Sequence, residues 1–497
     1  MMASFNVLTD GWIPVVHPDG RREELGILDT LRLAHELAAI RDPSPLVEFG
    51  LYRLLVAFVF DVLSQANKIP RTPRQLKSLL ETAQFDGRLL EAYAGACGNV
   101  FDLFDPERPF LQTVAAGGGE KPLAALYPAV PSGTNVHHWH HAVEAAMGAS
   151  SAGAARLLTT LAPFMTAGGA GLSPSINGAP AIYALPVGKN LFETLVLNLP
   201  LRQAGTGAGR VAWRDDRVPG GERNQATMSE ALTWRARRVR LLPPDAGAGG
   251  KVTRMLFQAG DSTRLTWVDP NLAYKYDGED ATPVRMREGR PLWRDAGPLA
   301  LLKRGAYKTE RDKFEYRRPD VIEYAFEVTE APLRIRVYGI RTDLKMKVFE
   351  WAASELLVPS EVGRAERVGA LVQRWLDLSE AAGRALRGAI RGLYPREGGG
   401  NKSALGRTVE LAEHAYWSAL ENQFHDLLFR AATLSDEHVD DVERVSEVLA
   451  PWKTAIRRNA VTAFESIAKD YDADADALER AVAARGRLGA ALKRILA

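Results

Sequence analysis

From residue 361 to the end, apolar residues recur at helical spacing, and only three short interruptions divide the run. They fall at Pro395 with Gly398-Gly399-Gly400, at Ser435-Asp436, and near Asp472. The pieces between them, roughly 361–393, 403–433, 437–470 and 473–496, are each long enough for many helical turns. An amphipathic helix must bury its apolar stripe, and short connections make sequential helices antiparallel neighbours. The pattern therefore predicts a C-terminal four-helix bundle over 361–497, with a domain boundary near residue 360.

Residues 1–360 lack this regularity and read as one large mixed α/β domain, so the fold class is α+β. Residues 4–16 (FNVLTDGWIPVVH) mix β-branched and aromatic residues around Asp10-Gly11 and predict a short hairpin. Residues 28–68 have helical spacing broken at Pro43 and Pro45. The apolar run Phe49 to Leu63 is interrupted by Arg53 and Asp61, and a membrane span needs about 20 mostly apolar residues. It reads as a core helix, with no membrane partner. Residues 113–137 and 165–182 are rich in Gly, Ala, Ser and Pro and read as loops. Residues 232–345 hold short alternating runs; in Leu333–Tyr338 the alternation gives one apolar and one basic face, and Gly339 is expected to end the strand.

Net charge is only +2 over 497 residues, so any nucleic-acid-binding surface must be local. The single cysteine, Cys97, excludes an intramolecular disulfide and a multi-cysteine zinc site. It fits a reducing cytoplasm. The first residues show no basic-then-apolar secretory pattern.

Three clusters could carry chemistry. His137-His138-Trp139-His140-His141 offers imidazoles that suit zinc or iron, which leaves open a metal-dependent nuclease or hydrolase built on His137 to His141. The spacing is not that of a zincin helix, and the same rings can stack on unpaired bases in a solvated loop. The glycines around Gly168 and Gly169 allow close backbone approach to a ligand, or make a plain linker. Neither a Walker A nor a G-x-G-x-x-G pattern is present there. Arg384, Arg387 and Arg391 are spaced by three and four and share a helix face, suited to phosphates, an acidic partner or solvent. Residues 303–347 hold twelve Lys or Arg against eight acids, which an ordinary solvated face also explains. There is no G-x-S-x-G, no P-loop and no spaced carboxylate pair; catalytic residues and cofactors are not expected.

An ordered set of segments resembles the CasA family, the large subunit of the type I-E CRISPR surveillance complex, Cascade. Leu8-Thr9-Asp10-Gly11-Trp12-Ile13-Pro14-Val15 resembles the family's opening hairpin, and Pro45 to Leu55 its following helix. Arg108-Pro109-Phe110-Leu111-Gln112 matches a "HPF-Q" element with Arg for His. Ser132-Gly133-Thr134-Asn135 matches the entry to an RNA-contacting loop, and Asn198-Leu199-Pro200 follows in order. The resemblance spans nearly the whole chain.

The resemblance implies a non-catalytic protein that reads the protospacer-adjacent motif (PAM) in double-stranded target DNA and starts its unwinding. Its implied partners are other Cascade subunits, crRNA and a helicase-nuclease effector. It implies that Gly168 and Gly169 form the PAM-facing loop, since backbone must approach a minor groove only about 6 Å wide. It puts the RNA-contacting loop at Asn135, His137, His138 and Trp139. It puts the basic finger in Gln258 to Arg264, where Arg264 is the only cation. The strand-separating wedge falls at Leu344, flanked by Asp343 and Lys345; leucine replaces a glutamine and supplies no hydrogen bond. A Cys-rich zinc element of some members is missing here.

Overall fold

The computed structural model describes residues 4–114, 117–127, 148–168, 171–178, 182–201, 209–245, 247, 249–265, 267–287, 289–307, 314–342, 348–395, 402–471 and 474–497. The helix Pro45–Gln65 organises the N-terminal part. Ser44 caps it, its side chain accepting from the Val47 amide, and Pro45 sits at the first turn, where its missing N–H costs nothing. Every residue from Leu46 to Leu63 is buried, as expected of a helix apolar on all sides. Its three buried charges all have partners. Glu48 meets Arg336 at 3.0 Å, Arg53 meets Asp269 at 2.6 Å, and Asp61 meets Arg214 at 2.9 Å. Burying a charge without pairing or hydrogen bonding is strongly unfavourable.

Around this helix lie small sheets. The strand Leu333–Thr342 pairs antiparallel with Val348–Val358 on one side and with Tyr183–Val187 on the other. It runs on past Gly339, the expected end. At that glycine a Cβ would lie 2.9 Å from the Met286 sulfur, so any side chain there would have to displace Met286. The expected basic face is only partly free, since Arg336 turns inward to Glu48 and Arg334 pairs with Glu355. A second sheet orders Glu120–Pro122, Arg254–Ala259 and Arg237–Leu241.

Two further expectations are corrected. The first hairpin is Ile13–Val16 with Arg22–Leu25, one element later than read. Residues 6–10 instead fold into a turn in which the Thr9 and Asp10 amides both donate to the Asn6 carbonyl. The stretch 232–345 also contains a helix, Asp320–Val328, opened by Pro319 and burying Val321, Ile322, Ala325 and Phe326.

The bundle consists of Glu366–Arg391, Lys402–Ala431, Val442–Ala468 and Ala475–Ile495, preceded by a short helix Ser360–Arg364. The third helix starts later than the pattern suggested: the turn His438–Asp440 comes first, Asp441 caps the helix by accepting from the Arg444 amide, and Asp436 is used elsewhere. Its carboxylate accepts from the backbone amides of Glu366, Arg367 and Val368, capping the first helix from across the bundle. The apolar core does not divide at residue 360. Val337, Leu356 and Val358 of the sheet share one cluster with Trp375, Trp417 and Trp452 of the bundle. Trp293 stacks on Phe424 at 5.2 Å and carries residues 292–301 onto the same helices.

Candidate nucleic-acid interface

The glycine loop leaves the core at Phe164 and returns at Ile176, and both stems are anchored to buried polar groups. The Tyr183 hydroxyl donates to the Pro163 carbonyl at 2.9 Å. Asn177 donates to that hydroxyl at 3.1 Å and to the Asp269 carboxylate at 3.0 Å. Asp269 is held by the bidentate Arg53 guanidinium, which also donates to the carbonyls of Ala231 and Leu232. Phe49, Phe164 and Tyr183 pack their rings beneath the stems, with Phe49 and Tyr183 stacked at 4.5 Å. Burial pushes the Tyr183 hydroxyl above its ordinary range, so it stays a neutral donor.

Nearer the tip, the Ser175 amide donates to the Met165 carbonyl at 2.8 Å, and the Gly168 amide donates to Leu172 at 2.9 Å. Gly171 adopts φ +76°, a left-handed conformation that favours glycine. Gly168 is half-buried at the turn; Gly169 lies outside the described residues.

Arg264 follows the strands Arg254–Ala259 and Asp261–Thr263, which are joined at Gly260. A Cβ on Gly260 would lie 2.2 Å from the Arg235 carbonyl, so the chain can turn there only as glycine. The turn is fixed further by Asp261, which accepts both guanidinium nitrogens of Arg217, at 2.8 and 2.7 Å, and the Gly220 amide. Past this anchor the Arg264 side chain is 88 % exposed, with Glu222 at 3.5 Å as its neighbour.

On the first bundle helix Arg384 and Arg391 are exposed, while Arg387 pairs with Glu413 of the second helix. Two of the three cations thus face outward without a carboxylate within ion-pair distance in the described residues. Much of the basic stretch 303–347 is engaged within the protein: Lys303 and Arg318 with Glu323, Arg304 with Glu279 and Glu315, Arg317 with Asp320.

Asn135, His137, His138 and Trp139, with His140 and His141, lie outside the described residues, as do Asp343, Leu344 and Lys345. Leu344 falls in the connection between the paired strands Leu333–Thr342 and Val348–Val358. Among the described residues no group of three His, Cys, Asp or Glu side chains could hold a metal ion. Nor is any described helix long and apolar enough to cross a membrane.

Sequence reasoning did not find Arg53, Asp269, Asn177 and Tyr183 as the mounting of the loop. They are far apart in the chain, and only the odd charge at Arg53 inside an apolar run signals that a buried partner must exist. Three of the motifs behind the resemblance hold scaffold contacts among the described residues. The Trp12 indole donates to the Val7 carbonyl, Gln112 bonds Leu103 and Leu241 backbone, and Asn198 bonds Pro186 and Thr194 carbonyls.

The chain is similar to proteins of one kind along nearly its whole length. The model of the family described as CRISPR-associated protein Cse1 matches residues 6–463. A Thermus thermophilus protein, CRISPR-associated protein CasA/Cse1, is 29 % identical over 502 aligned residues, covering 94 % of this chain and 92 % of that protein. The solved structure of Thermus thermophilus CasA superposes with TM-score 0.76 at 25 % identity, covering 99 % of both chains. Two more distant likenesses concern the fold: Thermobifida fusca Cse1, with TM-score 0.78 at 20 % identity over 99 % and 98 % of the chains, and a chain of a CRISPR RNA-guided surveillance complex, with TM-score 0.75 at 21 % identity over 98 % and 99 %. With the family model covering all but the ends and the mixed domain and bundle in the same arrangement, the chain belongs to the CRISPR-associated protein Cse1 family, also called CasA.

Proposed function

We propose that this protein is the large, non-catalytic subunit of a type I-E CRISPR surveillance complex in the cytoplasm, bound to the other Cascade subunits and crRNA. In this reading it recognises the protospacer-adjacent motif in duplex DNA, promotes local unwinding and R-loop formation, and recruits the helicase-nuclease effector. The observation that carries it is the family match over residues 6–463. The local geometry supports it: a glycine turn on a buried polar mounting can bring backbone against a narrow groove, and the exposed Arg264 can reach between phosphates. Leu344 is the proposed apolar wedge at the first target base pair, and His138 or Trp139 the stacking ring of the crRNA loop. Arg384 and Arg391, with Arg387 beside them, are proposed to follow a DNA backbone.

Gly168→Asp tests the reading. A carboxylate at that turn would face phosphates and collide with the groove, while the buried mounting stays intact. Cells carrying the variant should assemble the complex normally and lose interference with plasmids that bear the motif. Full interference with normal assembly would remove Gly168 from the recognition surface.

A further inference from the structure

Arg237 is buried, 3 % exposed, and no carboxylate approaches it among the described residues. Its charge is met instead by backbone carbonyls and a ring. One guanidinium nitrogen donates to the Thr166 carbonyl at 2.7 Å. A second donates to the Ser173 carbonyl and, at 2.8 Å, to that of Ala236, and Nε has no hydrogen-bond partner among the described residues. The guanidinium lies 5.8 Å from the centre of the Phe257 ring. Burial pushes the group's pKa down to about 10, which still leaves it charged at neutral pH.

Thr166 and Ser173 are the two sides of the glycine loop's neck, between the Ser175–Met165 and Gly168–Leu172 backbone bonds. A planar guanidinium offers parallel donors at fixed spacing, so it can set the separation of two carbonyls, which a single ammonium cannot do. Arg237 also belongs to the strand Arg237–Leu241, paired with Arg254–Ala259 in the register Arg237 to Ala259. That partner strand leads through Gly260 directly to Arg264. The neighbouring Arg238 reinforces the pairing by donating to the Ala259 carbonyl at 2.9 Å.

We propose that Arg237 is a positioning residue for DNA recognition: it clamps the neck of the glycine loop and fixes that loop to the strand pair that carries Arg264. The proposal rests on the reading of Gly168 and Arg264 as groove contacts, and it assigns to Arg237 no contact with DNA. An unpaired buried cation is costly to retain, and carbonyl solvation of this kind is worth keeping where a loop must hold one shape.

The test uses the assembled complex with Arg237→Lys and Arg237→Met, with Gly168→Asp alongside. Lysine keeps the charge and stem but loses the fork; methionine removes the donors as well. Binding is measured to matched duplexes with and without the motif, and to the matched single strand. Hydrogen exchange is followed in peptides covering residues 163–176 and, as a control, 402–431. The expected result is a drop of about tenfold for the motif-bearing duplex, with single-strand binding preserved, because the lost bonds are to a charged group. Exchange should rise at 163–176 alone. Equal losses on duplex and single strand would reduce Arg237 to a folding role, as would faster exchange in the bundle. If Gly168→Asp loses discrimination and both Arg237 variants keep it, the clamp is wrong and the loop reading stands. If Gly168→Asp discriminates normally, the loop reading fails and takes the clamp with it.

Discussion

Arg53 shows what a single residue can and does not disclose. In sequence it marks the run Phe49–Leu63 as unfit for a membrane and demands a partner. The partner, Asp269, lies 216 residues away and is invisible until the chain folds. Both side chains are almost completely buried, so removing one leaves an uncompensated charge in the core. Arg53→Met should destabilise the protein by about 3–5 kcal/mol, and Asp269→Asn by a comparable amount. The double variant should recover part of the loss, since the remaining partner no longer carries an unmatched charge. Denaturant unfolding of the four proteins measures this directly; strictly additive losses would mean that the two groups do not interact. The same logic explains the limited legibility of the site. Gly168 and Arg264 are proposed as contacts through the family resemblance, helped by a glycine-rich stretch and a lone cation that show in sequence. Their mounting does not show there, because Asn177, Tyr183 and Asp269 act through tertiary contacts alone.

Secondary structure was legible in proportion to how far local pattern decides it. The bundle helices repeat one period over more than twenty residues, so they were read with ends off by a few positions. The starts of the first and third helices moved most, by about five positions each, the third because the turn His438–Asp440 precedes its cap, Asp441. The short helix Asp320–Val328 was missed because its few apolar positions fit several patterns, and the first hairpin slipped because a turn-forming Asp10-Gly11 lies before it. Between the sheet region and the bundle, Glu380 ties elements that sequence left separate. It pairs with Arg290 at 2.8 Å and Arg294 at 2.7 Å, joining residues 290–295 to the first bundle helix. Burial would raise its pKa, but the Arg294 hydrogen bond and the Arg290 charge outweigh that and hold it below the ordinary glutamate value. A carboxylate with a lowered folded pKa stabilises above its unfolded pKa, about 4.3, and loses that contribution as pH falls through the folded value. Glu380→Gln should therefore cost about 1–3 kcal/mol at neutral pH. The gap from the parent protein should close as pH falls below about 4. A gap independent of pH would assign the effect to packing.

For the whole molecule, near-neutral charge with a few outward cations predicts a weak binder that needs its complex. The isolated chain should bind duplex DNA no tighter than about 10⁻⁴–10⁻⁶ M at physiological salt, the ordinary non-specific range. Within the complex, replacing Arg384, Arg387 and Arg391 by Ala should weaken binding across sequences alike. Because Arg387 already pairs with Glu413, the salt dependence should flatten by about two contacts, each worth roughly 0.7–0.9 in log–log slope. An unchanged slope would mean that the stripe meets protein or solvent. The core that runs through both parts of the chain makes the bundle and the sheet one packed body at Val358 and Trp375, so the proposed backbone and groove contacts share a rigid support. On the proposed reading, this subunit lets the complex open a duplex beside the correct motif. The most direct measurement compares complexes assembled with and without this chain on two targets, a motif-bearing duplex and the matching single strand. Omission should abolish tight duplex binding while single-strand binding persists. Duplex binding that survives omission, with the same preference for the motif, would contradict it.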